Sequence, residues 1–155
     1  MYKRQYPTNT GILAPEYAEL GDGDSLSGKT AFSISAAAMA GIDASATAAG
    51  YTGTVSEDGL MLGFVWDNAG APIAGATINC GGCTVYYFDA DDSDGLFTTG
   101  GTANAATSVE GNGLFAIPAA GITSYSPDNG GVNTWTATVV GSNPGSATMV
   151  AFYAD

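Results

Sequence analysis

The densest charge in the sequence is Asp89-Ala90-Asp91-Asp92-Ser93-Asp94-Gly95. Calcium takes roughly six to eight oxygen ligands from a flexible turn, and alternating carboxylates that close on a glycine offer such a set. Asp89, Asp91, Asp92 and Asp94 are therefore the candidate calcium ligands. The spacing departs from the EF-hand loop. Read from Asp89, the sixth position is Asp94 where that loop has glycine, and with Gly95 at the sixth position the first is Ala90. Neither register puts a glutamate at the twelfth position. Two readings stand, a calcium loop and a solvated acidic turn.

Cys80-Gly81-Gly82-Cys83 is the other group of residues with chemistry of its own. Zinc needs about four ligands, and neither a histidine nor a second cysteine pair completes such a set. A redox pair of this spacing normally opens a helix in a βαβ setting, whereas here it lies between two β-rich runs. A small structural disulfide between Cys80 and Cys83 is favoured over free thiols or redox chemistry.

The sequence contains no histidine, which removes the commonest general base and the commonest transition-metal ligand. Many carboxylates are present, but no local framework pairs two of them for glycoside hydrolysis. Trp66, Trp135, Tyr86, Tyr87 and Tyr125 could stack on sugar rings, although aromatics on strands more often fill cores. Tyr86 and Tyr87 are adjacent and must point to opposite faces of a strand. A non-catalytic chain is expected, with no required cofactor and calcium as the one candidate ion.

Charge narrows the partners. The 155 residues carry 15 acids against three cations, a net charge of -12, and Lys3, Arg4 and Lys29 are those cations. Such a surface cannot neutralise phosphates, so nucleic acid is excluded, as is an anionic membrane surface. No stretch reaches the roughly 18 apolar residues of a membrane span, so no membrane insertion is expected. No signal-type apolar run follows the charged start. Low charge, a lone cysteine pair and abundant Gly, Ser, Thr and Ala favour an extracellular or cell-surface mature form over a cytosolic one. No Asn-x-Ser/Thr acceptor is present.

The elements that hold these residues read as short strands. Charged residues are only 12% of the chain and long charged helix formers are scarce, which argues against a helical bundle. Strands are expected at Leu60–Trp66, Ala76–Asn79, Thr84–Phe88, Leu96–Thr99, Leu114–Ile117, Asn133–Val140 and Ala147–Tyr153, separated by turn clusters. Seven strands rich in Thr, Val, Tyr and Phe indicate an all-β antiparallel sandwich of Ig-like or transthyretin-like type. The last strand is apolar on both faces, which fits either residues folded inward or a second contact surface.

Residues 1–59 read as an extended N-terminal arm before a domain at 60–155. Within the arm, residues 30–39 begin with alternation that puts Phe32, Ile34, Ala36 and Ala38 on one strand face. The alanine-rich continuation to Gly50 is open between strand and helix. A strand left in water is an aggregation hazard, so the arm must pair with its own sheet edge or a neighbour's.

The stretch from Gly63 through Asp67, Gly70 and Pro72 to Gly75-Ala76-Thr77-Ile78 resembles the opening of carboxypeptidase-regulatory-like domains, which are transthyretin-like β-sandwiches. Gly113-Leu114-Phe115-Ala116-Ile117 and the Thr-rich run from Thr134 to Val140 are similar to that family's later signatures. The resemblance implies a non-catalytic module of secreted or surface proteins. Related folds include a purine-pathway hydrolase and intradiol dioxygenases, but both use histidines that this sequence lacks. The combined expectation is a structural subunit of an extracellular filament or surface layer, with other copies of itself as partners and strand addition of the arm as the mode of assembly. A monomeric adhesion or carbohydrate-binding module is the alternative.

Overall fold

Leu60–Trp66 sends alternate side chains to two sides, and all of it but Phe64 and Trp66 is buried. The computed structural model describes residues 11–13, 32–89 and 93–155. Its elements are β1 (Gly11–Leu13), β2 (Phe32–Ser33), α1 (Ala36–Ala48), α2 (Val55–Asp58), β3 (Leu60–Trp66), β4 (Thr77–Asn79) and β5 (Tyr86–Tyr87). They continue with β6 (Thr98–Thr99), β7 (Thr102–Ala103), β8 (Leu114–Pro118), β9 (Thr123–Asp128), β10 (Thr138–Val140) and β11 (Ala147–Tyr153). Strands dominate and helix is scarce, so the chain is all-β in class.

The main sheet has the order β2-β1-β11-β3-β8-β5, a second has the order β10-β9-β4, and β6 and β7 form a hairpin. The main sheet is not antiparallel throughout. β11 runs parallel to β3 from Ala147 opposite Leu60 to Tyr153 opposite Trp66, and β1 runs parallel to β11. Parallel neighbours need a long connection. The whole run of β4 to β10 supplies it between β3 and β11.

Two clusters of buried side chains lie on opposite faces of this sheet. Met61, Val65, Phe115, Ile117, Val150, Phe152 and Tyr87 point one way and meet Ile78, Tyr125 and Val140 of the three-stranded sheet. Leu60, Leu62, Tyr86, Ala116 and Ala147 point the other way and meet Met39, Ile42 and Ala46 of α1, with Ile34, Val55 and Phe97. The last strand is thus apolar on both faces because both are covered, at least along its first half, within one chain.

α1 corrects the expected assembly strand. Ala36 and Ala38 lie in a helix, Ile34 is buried in the core, and Phe32 belongs to β2, which pairs with β1. The Ser35 hydroxyl accepts the Ala38 N–H at 3.1 Å and caps the helix. Alanine is the strongest helix former, and Met39, Ile42 and Ala46 recur at helical spacing on the buried face. The alternation of residues 30–38 runs into a helix whose apolar period begins at Met39. Ile34, Met39, Ile42, Ala46 and Val55 consequently join the core, and packing continues across the boundary placed at 59/60.

Other strands are shorter than expected, and one reason is local. In β9, Tyr125 faces Thr138 of β10, and Pro127 faces Ile78 of β4. The Ile78 N–H goes to the Tyr87 hydroxyl instead, at 2.9 Å, so the side of Pro127 that lacks a donor faces β10. The β9–β10 ladder stops there, and the expected strand Asn133–Val140 shrinks to Thr138–Val140. β9 itself, Thr123–Asp128, was not expected, because its serines, proline and aspartate read as a turn.

Gly63 shows why the opening motif needs a glycine. It faces Phe115 across the β3–β8 ladder, and a Cβ there would collide with the Phe115 ring. The ring lies over the bare backbone and fills the space a side chain would take. Asp67 organises the following turn, because its Oδ1 accepts the N–H groups of Ala69 and Ala71, both at 2.8 Å.

Candidate functional site

The free side of β11 is the part of the sheet left for other work. Ser146 O and Ala154 N both bond to β3, so even-numbered residues of this strand turn their backbone groups toward β3. Met149, Ala151 and Tyr153 turn theirs the other way. On that side β1 pairs only at Ala147 and Thr148, and Asp155 N reaches Thr134 O at 2.9 Å. Among the described residues, nothing pairs with the edge between these two points.

Beside that edge lies an aromatic cluster. Phe64 and Trp66 share the α1 side of β3 but lie beyond the helix, and Tyr153 stands opposite Trp66 in the register. Ring centroids are 4.8 Å apart for Phe64 and Trp66 and 6.2 Å apart for Trp66 and Tyr153. The ring planes are inclined by 49° and 65°, so the cluster is walled rather than flat. Trp66 Nε1 donates to Asn112 O at 3.0 Å, which fixes the indole edge. Tyr153 is 50% exposed.

The other aromatics suggested by the sequence are structural. Tyr86, Tyr87 and Tyr125 are buried, and Trp135 packs against the core. Tyr86 and Tyr87 do point to opposite faces, and each finds a core in its own chain. Burial pushes the phenols of Tyr86, Tyr87 and Tyr125 up, while the hydrogen bond from Ile78 pulls Tyr87 back down. Phe64 and Tyr153 were missed as partners of Trp66. The signal for Phe64 was present in the period of two along β3; the neighbouring place of Tyr153 depends on the parallel register.

The acidic loop is described in part. Asp91 and Asp92 lie outside the described residues. Asp94 uses its carbonyl to accept the Thr98 hydroxyl and its Oδ2 to accept the Gly101 N–H, both at 2.6 Å. Its Oδ1 is buried without a hydrogen-bond partner among the described residues. Thr99 Oγ1 lies 2.5 Å from Asp89 Oδ2 and 2.8 Å from Asn104 Oδ1. Among the described residues, no group of three or more acids or cysteines is placed to hold a metal.

Cys80 and Cys83 lie within bonding distance, with Cα atoms 5.6 Å apart, in the range that a disulfide spans. The pair closes the turn after β4, and Gly81 and Gly82 supply its positive φ angles. No βα unit surrounds it, which fits a structural link rather than a redox site.

Two shallow, open hollows flank the outer side of α1, lined by Asp43, Ala44 and Gly53 on one side and by Gly41, Ala48 and Leu96 on the other. Beside the first, Tyr51 donates to Asp58 Oδ2 at 2.7 Å, which also accepts Thr54 N at 3.0 Å. Burial first, and that hydrogen bond second, push the Tyr51 phenol up to about 12. Asp43 accepts Ser56 N at 3.2 Å and ties α1 to α2. These bonds clamp the helix layer. No helix among the described residues is long and apolar enough to cross a membrane. The chain matches no protein-family model, no curated protein and no solved structure.

Proposed function

We propose that this chain is a non-catalytic structural subunit of an extracellular filament or surface layer, assembled by addition of the N-terminal arm to the sheet of a neighbouring copy. The observation that carries this reading is that, among the described residues, nothing pairs with the β11 edge at Met149, Ala151 and Tyr153. An unpaired edge in a buried-core sheet is a template for another strand. The donor lies before α1 and outside β1 and β2, because those strands pair within their own chain's sheet and α1 packs on its core. A head-to-tail exchange does not close on itself and gives fibres. The low charge of the chain suits a surface largely covered by copies.

A seven-stranded transthyretin-like sandwich of carboxypeptidase-regulatory type is the finer fold we infer. The close approach at Gly63 and the turn held by Asp67 support it, since each gives a physical role to a residue of that opening motif. The partly exposed Trp66 favours one second reading, a monomeric adhesion or carbohydrate-binding module. Calcium in the acidic loop is proposed as a stabilising ion, supported by the Asp94 Oδ1 that has no hydrogen-bond partner among the described residues; equal melting temperatures in calcium and in chelator would count against it. The disulfide predicts a difference of about 2 Da between reduced and non-reduced intact mass.

Negative-stain microscopy and sedimentation of the purified chain test the main reading. Fibres or concentration-dependent association are expected, and their loss when residues 1–31 are deleted with α1 retained. Strictly monomeric protein at high concentration overturns the proposal.

A further inference from the structure

The sequence contains two Asn-Gly pairs, Asn112 before Gly113 and Asn129 before Gly130. Asparagine is thermolabile, and a following glycine leaves its backbone nitrogen unshielded for attack. In that reaction the glycine nitrogen bonds to the carbonyl carbon of the asparagine side chain. The amide carbon–nitrogen bond breaks and ammonia leaves. Water then opens the cyclic imide at either carbonyl and yields aspartate or isoaspartate.

The fold imposes the first pair. Asn112 and Gly113 have φ angles of 55° and 66°, and Leu114 N donates to Gly111 O at 3.0 Å. Two successive positive φ angles are the demand of a type I′ turn, which asparagine and glycine meet best. A Cβ on Gly113 would come within 2.5 Å of Val65 O, so a side chain has no room there. The turn also holds the end of β3. Val65 N donates to Gly113 O and Trp66 Nε1 to Asn112 O, both at 3.0 Å.

The two pairs differ in what restrains them. Asn129 Nδ2 donates to Asn133 Oδ1 at 2.8 Å, and Asn129 Oδ1 accepts Asn133 N at 2.9 Å. Gly130 N donates to the Asp128 carboxylate at 2.8 Å, and an N–H beside a carboxylate gives up its proton reluctantly. Asn112 is exposed, and its side chain has no hydrogen bond among the described residues. Gly113 N has one bond, to Ser108 O at 2.8 Å. Cyclisation at Asn129 therefore breaks three hydrogen bonds, one of them to a charged group, whereas cyclisation at Asn112 breaks one.

We propose that Asn112 is a modification site at which the chain deamidates spontaneously, with water as co-reactant, and that the isoaspartate formed releases the Trp66 indole. The product carries one more main-chain carbon where Gly113 lies against Val65 O. The carbonyl that holds Trp66 becomes a carboxylate off the main chain. The change is slow and one-way, it acts on the cluster of Phe64, Trp66 and Tyr153, and it is independent of the assembly reading.

Ageing the purified full chain in warm buffer tests it. Intact mass should rise by about 1 Da as an amide becomes an acid. Peptide mapping should find conversion at Asn112 roughly ten-fold faster than at Asn129. Transfer of a labelled methyl group by an isoaspartyl methyltransferase counts the isoaspartate. Alkaline buffer should hasten the reaction, because the attacking nitrogen must lose its proton. Tryptophan emission should shift to the red on the same time course, and Trp66→Phe, which leaves Trp135, should abolish that shift while conversion continues. Asn133→Ala removes one restraint and should raise the rate at Asn129 several-fold. Equal or faster conversion at Asn129 overturns the proposal, as does an intact Asn112 after a peptide of residues 108–114 has converted completely. An unchanged Asn129 rate in Asn133→Ala overturns the hydrogen-bond account of the choice. Conversion at Asn112 without a shift in emission overturns the release of Trp66.

Discussion

The two faces of the six-stranded sheet are closed by different means. One meets another sheet, and side chains that are mostly aromatic or aliphatic interlock around Phe115 and Tyr125. Several buried polar groups there find partners, although Trp135 Nε1 has none among the described residues. Tyr125 donates to Gly121 O at 2.6 Å, the Tyr87 hydroxyl accepts Ile78 N, and Thr107 bonds both Ile73 and Ala76. The other face meets a helix made largely of alanine, anchored by Met39, Ile42 and the stacked pair Tyr86 and Phe97. That helix covers Leu60 and Leu62 but leaves Phe64, Trp66 and Tyr153 in partial contact with water. Among the described residues the sheet-on-sheet face is the more complete of the two, and the helix-on-sheet face ends short of Phe64, Trp66 and Tyr153.

The largest effect should come from the more complete face. Phe115 is fully buried and covers Gly63, so Phe115→Ala leaves a cavity against a backbone that cannot fill it. A loss of about 4 kcal/mol is expected in urea unfolding, with both clusters melting together. On the helix face, Ile42→Ala should cost less, about 3 kcal/mol, because α1 has open hollows beside it and can settle. Hydrogen exchange should then show α1 opening before the sheet. Uniform loss of protection would show that the two faces are one cooperative unit. Thr107→Val comes next, at about 2 kcal/mol, since it strands the buried Ala76 N–H and Ile73 carbonyl. A near-neutral outcome would mean that water replaces the hydroxyl.

The same contrast explains what could be read without a structure. β3, β8 and β11 were legible because each is a run of apolar residues bounded by turn residues, and β11 begins and ends where the sequence pattern does. The disulfide turn was legible from elimination. α1 was obscured because Phe32 and Ile34 alternate just before it, and alanine has too little side chain to display a helical period. The parallel register was beyond local reading, since it pairs residues separated by nearly the whole domain. So was the aromatic cluster, which exists only because that register sets Tyr153 beside Trp66. Pro127 hid β9 by reading as a breaker, when it instead limits how far a neighbour can pair.

The smallest effect concerns the clamp of the helix face, and its sign is fixed by Tyr51. The phenol is raised in the fold from an ordinary value of 10.0 to about 12 by burial and by the bond to Asp58. The fold therefore favours the neutral form. Its contribution is fully present below about pH 10 and is lost as pH rises through 12, because the unfolded chain ionises first. Tyr86, Tyr87 and Tyr125 are raised too and add to the loss in the same direction. Asp58→Asn should cost about 1 kcal/mol or less at neutral pH, since the amide oxygen can still accept the hydroxyl. It removes the charge that opposes ionisation, so an ultraviolet titration should find one phenol ionising earlier while the buried tyrosines of the sheet-on-sheet face are unmoved. If the variant leaves that titration unchanged, Asp58 does not govern Tyr51, and the helix layer is held by packing alone.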